Sequence, residues 1–332
     1  MNQLYQTQYH KGNLSESSFL VTGGAGFIGS NIVEYLIKYG AGKVRVLDNL
    51  SNGYFENVKK YKDLSNFEFI EGDIRNLDTC KFAINGIDYI THQAALGSVP
   101  RSIADPILTN EVNISGFLNI LYSAKESSSL KKLVYAASSS TYGDSLELPK
   151  VEGKEGKTLS PYAVTKAVNE MYADVFSKVY QFNTIGLRYF NVFGPNQNPN
   201  NPYAAVIPIF CKNFLLNQRP VIFGDGLTSR DFTFVENVVQ ANIKALFSTN
   251  MNNHQVFNVA CGDQISLIEI IQLLNKLTNN NFSPIFKETR IGDIKHSKAN
   301  IDKICSFLNY KPKINFENGL SIVLNFYKNQ NI

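Results

Sequence analysis

Thr22-Gly23-Gly24-Ala25-Gly26-Phe27-Ile28-Gly29, or TGGAGFIG, directly follows a short apolar run at Phe19–Thr22 and directly precedes an amphipathic stretch. A buried strand that enters a glycine-rich turn and leaves as a helix is built to hold a dinucleotide pyrophosphate. Gly23 permits the tight turn, Gly26 lets the backbone approach the phosphates, and Gly29 lets the helix pack on the strand. Phe27 and Ile28 lie where the helix opens, and its free N–H groups and partial positive charge face the phosphates. Over Asn31–Tyr39, Ile32, Val33, Leu36 and Ile37 share one helical face.

Working outward, Val44–Leu47 reads as a second strand, closed by Asp48 19 residues after Gly29. A carboxylate there accepts hydrogen bonds from ribose hydroxyls and repels a 2′-phosphate, which favours NAD over NADP. Asn49 follows, so no Arg stands there to cradle that phosphate. Phe67–Ile70 is a third strand, and Asp73-Ile74 beyond it lies where an adenine would rest; a loop cap is the competing reading of Asp73. Tyr89–Thr91 is a fourth, followed by Gln93-Ala94-Ala95, whose small residues let a cofactor approach. Leu133–Ala137 is a further strand, with helical patterns at Asn113–Lys125 and Pro161–Tyr180. This alternation predicts an α/β fold of Rossmann type, a doubly wound parallel sheet covered on both faces.

The texture changes near Asn191. Residues 194–202 are rich in Asn and Pro and read as a loop. Residues 191–235 and 263–332 are expected to form a smaller mixed α/β substrate domain. Residues 18–190 form the dinucleotide domain, rejoined by 236–262, where Val256–Val259 is a strand that returns to the first sheet. Residues 1–17 are a polar N-terminal extension.

A second chemical signal is Tyr162-Ala163-Val164-Thr165-Lys166. Ser160 is an N-cap and Pro161 a first helical residue, so Tyr162 and Lys166 share a helical face. A phenol titrates near ~10. A neighbouring ammonium lowers that value and makes Tyr162 a usable general base. Ser138-Ser139-Ser140 follows the strand ending at Ala137, at the edge that lines the ligand crevice. There a hydroxyl donates to the reacting oxygen, whereas a polar turn is the bland alternative. Together the two signals point to an enzyme that oxidises a hydroxyl with NAD.

The bulk numbers fit a globular enzyme of 332 residues, 44% hydrophobic and 18% charged, with net charge +4. No dense Lys/Arg block indicates nucleic acid. The polar first eighteen residues argue against a signal peptide, and no apolar stretch is long enough for a membrane span. Cys80, Cys211, Cys261 and Cys305 are scattered like reduced thiols of a cytoplasmic protein. His10, His92, His254 and His296 are too dispersed to indicate a metal site.

TGGAGFIG, the His92–Ala95 stretch HQAA, SSSTYGD at Ser138–Asp144, SPYAVTK at Ser160–Lys166 and LRYFNVFG at Leu187–Gly194 together resemble the extended short-chain dehydrogenase/reductases. Within that family the chain resembles the UDP-N-acetylglucosamine 4-epimerases of bacterial surface-polysaccharide pathways. The stretches ALGSVPRS at Ala95–Ser102, NPYAAVIP at Asn201–Pro208, GDGLTSRDF at Gly224–Phe232 and GDIKHSKAN at Gly292–Asn300 carry that likeness. The resemblance implies catalytic roles for Ser138, Tyr162 and Lys166, with Tyr189 beside tightly bound NAD. It places Gly97, Ser98, Arg101, Ser139, Ser140, Ala205 and Val206 around the sugar nucleotide. It puts Asn191, Arg230 and Arg290 near the diphosphate, Ile222-Phe223 against the uracil, and Asp293 on the ribose. It also implies a homodimer built on Asn113–Lys125 and Pro161–Tyr180.

The implied reaction inverts C4 of a UDP-sugar through a 4-keto intermediate, with NAD regenerated at each turn. Related dehydratases carry an Asp-Glu pair after the catalytic hydroxyl, and decarboxylases a Glu at the second place. Here Ser139 and Ser140 stand there, which leaves epimerisation as the outcome. Ser297 matches a position where some relatives carry a Tyr that excludes N-acetyl groups, so a C2 acetamido group is expected to fit. The C6 oxidation state stays open, since Arg101, Lys295 or His296 offers a cation for a uronate. A catalytically silent NAD-binding regulator is the reading from another class, but such a protein would be expected to lack the Tyr/Lys pair.

Overall fold

The computed structural model describes residues 4–249, 253–289 and 295–330. Arg290 and Asp293 lie outside them.

Seven parallel strands form the central sheet. They are β1 (Ser18–Thr22), β2 (Lys43–Asp48), β3 (Phe67–Glu71), β4 (Tyr89–His92), β5 (Lys132–Ser138), β6 (Thr184–Tyr189) and a late strand, Gln255–Val259. Their spatial order is β3, β2, β1, β4, β5, β6, then the late strand. The order reverses between β1 and β4, and Thr22 is paired in register with His92 there. At such a switch point the connections leave in opposite directions, which opens a crevice beyond the strand ends. The late strand pairs with β6 from Gln255 opposite Ile185 to Val259 opposite Tyr189, so it re-enters the sheet as expected.

The helices are α1 (Phe27–Lys38), α2 (Leu77–Ile84), α3 (Val99–Ala104), α4 (Pro106–Asn110), α5 (Phe117–Lys125), α6 (Pro161–Tyr180), α7 (Val206–Leu215), α8 (Val235–Leu246), α9 (Leu267–Thr278), α10 (Asp302–Leu308) and α11 (Phe316–Asn329). α1 and α8 pack together with one face of the sheet, while α2, α5 and α6 build the apolar layer that includes Leu20, Ile90, Leu133 and Tyr135. α7 packs against α9 and α11. Short strand pairs, such as Val221–Phe223 with Ile285–Lys287, complete that part of the chain.

Local chemistry explains the helix starts. Ser160 Oγ accepts the Ala163 N–H at 3.1 Å and Pro161 opens α6, a cap worth ~1 kcal/mol. Ser266 and Glu269 form a reciprocal capping box on α9. Two expectations shift. α1 starts at Phe27, before the apolar periodicity begins, because the glycine turn delivers the chain already in helical register. The helix expected at Asn113 is preceded by α4 and a π-helical turn, Glu111–Gly116.

The polar extension is also folded onto the body. Leu4, Tyr5, Tyr9 and Leu14 are buried in the main core. Tyr9 stacks on Tyr35 of α1 with ring centroids 5.5 Å apart. Tyrosines reach a core this way, burying the ring while the hydroxyl finds a partner.

Candidate active site

The crevice beyond β1 and β4 is a cavity of about 360 Å³. Its walls include Gly23, Gly26, Phe27, Ile28, Gly29, Asp48, Asn49, Asp73, Ile74, Gln93, Ala94 and Ala95. Almost the whole predicted cofactor set is therefore gathered in one place. Gly97, Ser98, Arg101 and Ala205 from the predicted sugar set line it as well.

Two glycines are required by measurable crowding. Gly23 has φ +66°, and a Cβ there would meet the Ala94 backbone nitrogen at 2.7 Å. A Cβ on Gly29 would meet the Gly23 carbonyl oxygen at 2.2 Å. Gly26 is the N-cap of α1 and supplies no side-chain cap. The first N–H groups of α1 are thus left for a ligand, and an anion is what they suit. These features fit a dinucleotide pyrophosphate.

Asp48 is buried at the end of β2. Its Oδ2 accepts the Ala25 N–H at 3.0 Å and its Oδ1 the Leu50 N–H at 2.9 Å. The carboxylate thereby holds the glycine turn, and each oxygen keeps a lone pair for a ribose hydroxyl. Burial pushes its pKa up, against those backbone donors. Asp73 has a narrower role than a free adenine contact. Arg75 and Asn49 both donate to it, and chiefly the Arg75 guanidinium pulls its pKa down to about 2. Tyr189 does not line the cavity; its hydroxyl donates to Gln93 Oε1 at 3.0 Å and accepts from Asn242 Nδ2 at 2.8 Å. It holds Gln93, which does line the cavity.

Ser138 ends β5, and Tyr162 and Lys166 stand on the first turns of α6. The Ser138 hydroxyl lies near enough to the Tyr162 phenol to favour its charged form, although neither residue lines the cavity itself. Ser138 Oγ accepts the Ser140 hydroxyl at 2.9 Å and the Ser140 N–H at 3.2 Å, which leaves its own proton for the Tyr162 oxygen. Lys166 Nζ donates to the Ala136 carbonyl at 2.7 Å. Burial lowers the Lys166 pKa to about 8, opposed by Glu170. One expectation is corrected here. Burial of the Tyr162 hydroxyl pushes its pKa up; the Ser138 hydroxyl is what lowers it, and Lys166 is not among the causes. The ammonium is turned to the β5 backbone instead.

Other predicted sugar contacts are scattered. Asn191 takes φ 34° and its Nδ2 donates to the Asp231 carbonyl at 3.1 Å. Arg230 Nη1 donates to the carbonyls of Ser229 and Lys295. Ser297 is half-buried and its N–H donates to Ser229 O at 3.1 Å. Ser139 is half-buried beside Ser138, and Val206 opens α7. Ile222 is 1% exposed and belongs to the core. Alternation along the strand turns Phe223 the other way, so of this pair only Phe223 suits an uracil.

Several contacts around the site have no counterpart among the predicted roles. Asp231 is fully buried and accepts the N–H groups of Cys261, Gly262 and Ala299. It ties the segment after β6 to the late strand and to residue 299, and burial raises its pKa to about 6. Tyr54 and Asn198 also line the cavity, and Asn198 Nδ2 donates to the Tyr54 hydroxyl at 2.6 Å. Arg101 stacks over Tyr203 at 4.9 Å. The run of Asn and Pro signalled only a loop there. Among the described residues no cluster suits a metal ion, and no helix is long and apolar enough to cross a membrane.

Residues 19–260 match the NAD dependent epimerase/dehydratase family. A putative UDP-glucose 4-epimerase of Methanocaldococcus jannaschii is 36% identical over 94% of this chain and 99% of its own length. A UDP-N-acetylglucosamine 4-epimerase from Methanobrevibacter ruminantium, solved with UDP-N-acetylmuramic acid, is 37% identical. It superposes with a TM-score of 0.89 over 95% of this chain and 99% of its own. A UDP-glucuronic acid 4-epimerase from Bacillus cereus, solved with UDP-glucuronic acid and NAD, is 30% identical. It gives a TM-score of 0.86 over 94% and 99%. The glycine turn closed by Asp48, the Ser138–Tyr162 pair and these likenesses agree: the chain belongs to the NAD dependent epimerase/dehydratase family.

Proposed function

We propose that this NAD-dependent sugar-nucleotide 4-epimerase acts on a UDP-N-acetylhexosamine, interconverting UDP-N-acetylglucosamine and UDP-N-acetylgalactosamine. The observation that carries the reaction is the nearness of the Ser138 hydroxyl to the buried Tyr162 phenol, with hydroxyls at 139 and 140 where elimination needs carboxylates. When bound, NAD supplies a reversible acceptor for the hydride on C4. Tyr162 removes the C4 hydroxyl proton and later returns it. Ser138 donates to the Tyr162 oxygen and, by favouring the phenolate, offsets part of the burial that raises the Tyr162 pKa. Lys166, bound to the β5 backbone, holds the first turns of α6 at the sheet edge.

The N-acetyl preference is supported by the small side chain at Ser297 and by the likeness to the Methanobrevibacter enzyme. A uronic acid substrate is the second reading. It is favoured by Arg101, whose guanidinium lines the cavity and makes no ion pair among the described residues.

The test is incubation with UDP-N-acetylglucosamine, its C6 uronic acid and UDP-glucose in parallel, with NMR of the products. The expected result is conversion of the first fastest by kcat/KM, with retention of all atoms. Tyr162→Phe should bind the sugar nucleotide and give no product, because the ring stays and the titratable oxygen goes. Faster turnover of the uronic acid would replace the first reading with the second.

A further inference from the structure

Residues 4–17 precede the stretch that matches the family, yet they are tied to the back of the cofactor site. The Tyr5 N–H and the Tyr9 hydroxyl both donate to Glu236 Oε1, at 3.1 and 2.7 Å. The Tyr39 hydroxyl donates to the Tyr5 carbonyl at 2.9 Å, and Lys38 Nζ to the Leu4 carbonyl at 3.0 Å. Tyr5 itself has φ 58°. A bulky side chain takes that left-handed conformation only where its surroundings hold it.

The conformation aims the phenol. Tyr5 is fully buried and its hydroxyl donates to Asn31 Oδ1 at 2.7 Å. Burial keeps that hydroxyl protonated, well above its ordinary pKa. With Oδ1 engaged, Asn31 Nδ2 is turned to two carbonyls, Phe27 at 2.9 Å and Pro195 at 3.1 Å. Phe27 opens α1 and lines the cavity. Pro195 leads into Asn196, Gln197 and Asn198, which line it too. Asn196 Nδ2 also donates to Ser30 Oγ at 3.0 Å. Asn31 therefore clamps two walls of the NAD site together, and Tyr5 sets which way the clamp faces.

We propose that Tyr5 is a positioning residue for NAD retention, acting through Asn31 on the wall at 195–198. The N-terminal segment is then part of the cofactor site, although it does not touch the cavity. This depends on the NAD assignment and is independent of which sugar is the substrate.

The test compares wild type, Tyr5→Phe and Tyr9→Phe, each loaded with radiolabelled NAD, freed of excess and chased with unlabelled NAD. Tyr9→Phe removes a bond of the same segment to Glu236 but none to Asn31, so it controls for docking alone. Tyr5→Phe is expected to release NAD on the order of tenfold faster, the size of effect that a buried acceptor left without its donor produces. Tyr9→Phe is expected to stay within about twofold of wild type while sharing the lowered melting midpoint. Release from Tyr5→Phe at the wild-type rate, or equal acceleration in the two variants, would overturn the proposal.

Discussion

At the scale of single residues, the site is governed by burial as much as by charge pairing. His92 shows this beside Lys166. Its Nδ1 lies 2.7 Å from Thr22 Oγ1, which also accepts the Ala94 N–H. The Thr22 proton is therefore free for Nδ1, and the ring sits neutral. Burial first and Lys166 second lower its pKa to about 3. The folded value lies below the unfolded one, near ~6.5, so stability is full above ~6.5 and lost as pH falls from there toward about 3. At pH ~5 the loss is on the order of 2 kcal/mol. The expected outcome is a melting midpoint that drops between pH ~7 and ~5, with a shallower drop in His92→Asn. Equal slopes in the two proteins would show that His92 is not the group responsible.

At the scale of elements, the glycine turn and α1 act as one unit because their backbones touch. Gly29 faces the Gly23 carbonyl oxygen so closely that a methyl group has no place. Gly29→Ala should force the helix off the turn, costing about 1–3 kcal/mol in stability and abolishing NAD retention. Gly97 lines the same cavity, but a Cβ there meets nothing within 4 Å. Gly97→Ala should leave the melting midpoint unchanged. Calorimetry with NAD quantified in the denatured supernatant separates the two. A Gly29→Ala protein that still carries its cofactor would contradict the close-packing argument.

For the whole molecule, one outer face is unusually apolar. α6 exposes Val164, Met171, Val175 and Val179 along one stripe, and Ile103 of α3 and Ile107 of α4 are 64% and 73% exposed. α3 and α4 pack against α6, so these side chains belong to one region. Contiguous apolar surface of this kind is characteristic of an association site, and a two-fold pairing would bury the stripe on itself. A dimer is the expected outcome of light scattering at micromolar concentration, with Val175→Asp shifting the mass to one chain. A wild-type mass of 37.2 kDa, that of a single chain, would rule the dimer out.

The parts legible without coordinates were those with short-range causes. The TGGAGFIG turn, the Asp48 position, the Ser160 cap and the i, i+4 pairing of Tyr162 with Lys166 each follow from local spacing, which the backbone enforces within a few residues. Six of the seven sheet strands were legible too, because strand and helix periodicities alternate; β6, Thr184–Tyr189, was not among them. Tertiary structure alone decided what depends on distant groups meeting. It turned Lys166 toward the Ala136 carbonyl and gave Ser138 the role of lowering the Tyr162 pKa. It placed Asp231 at the joint of three separate segments. It also folded a polar extension into the core, since a tyrosine counts as polar surface or as core only once a partner such as Glu236 or Asn31 is in reach. Pattern records what each residue prefers; burial and partner geometry are properties of the assembled chain.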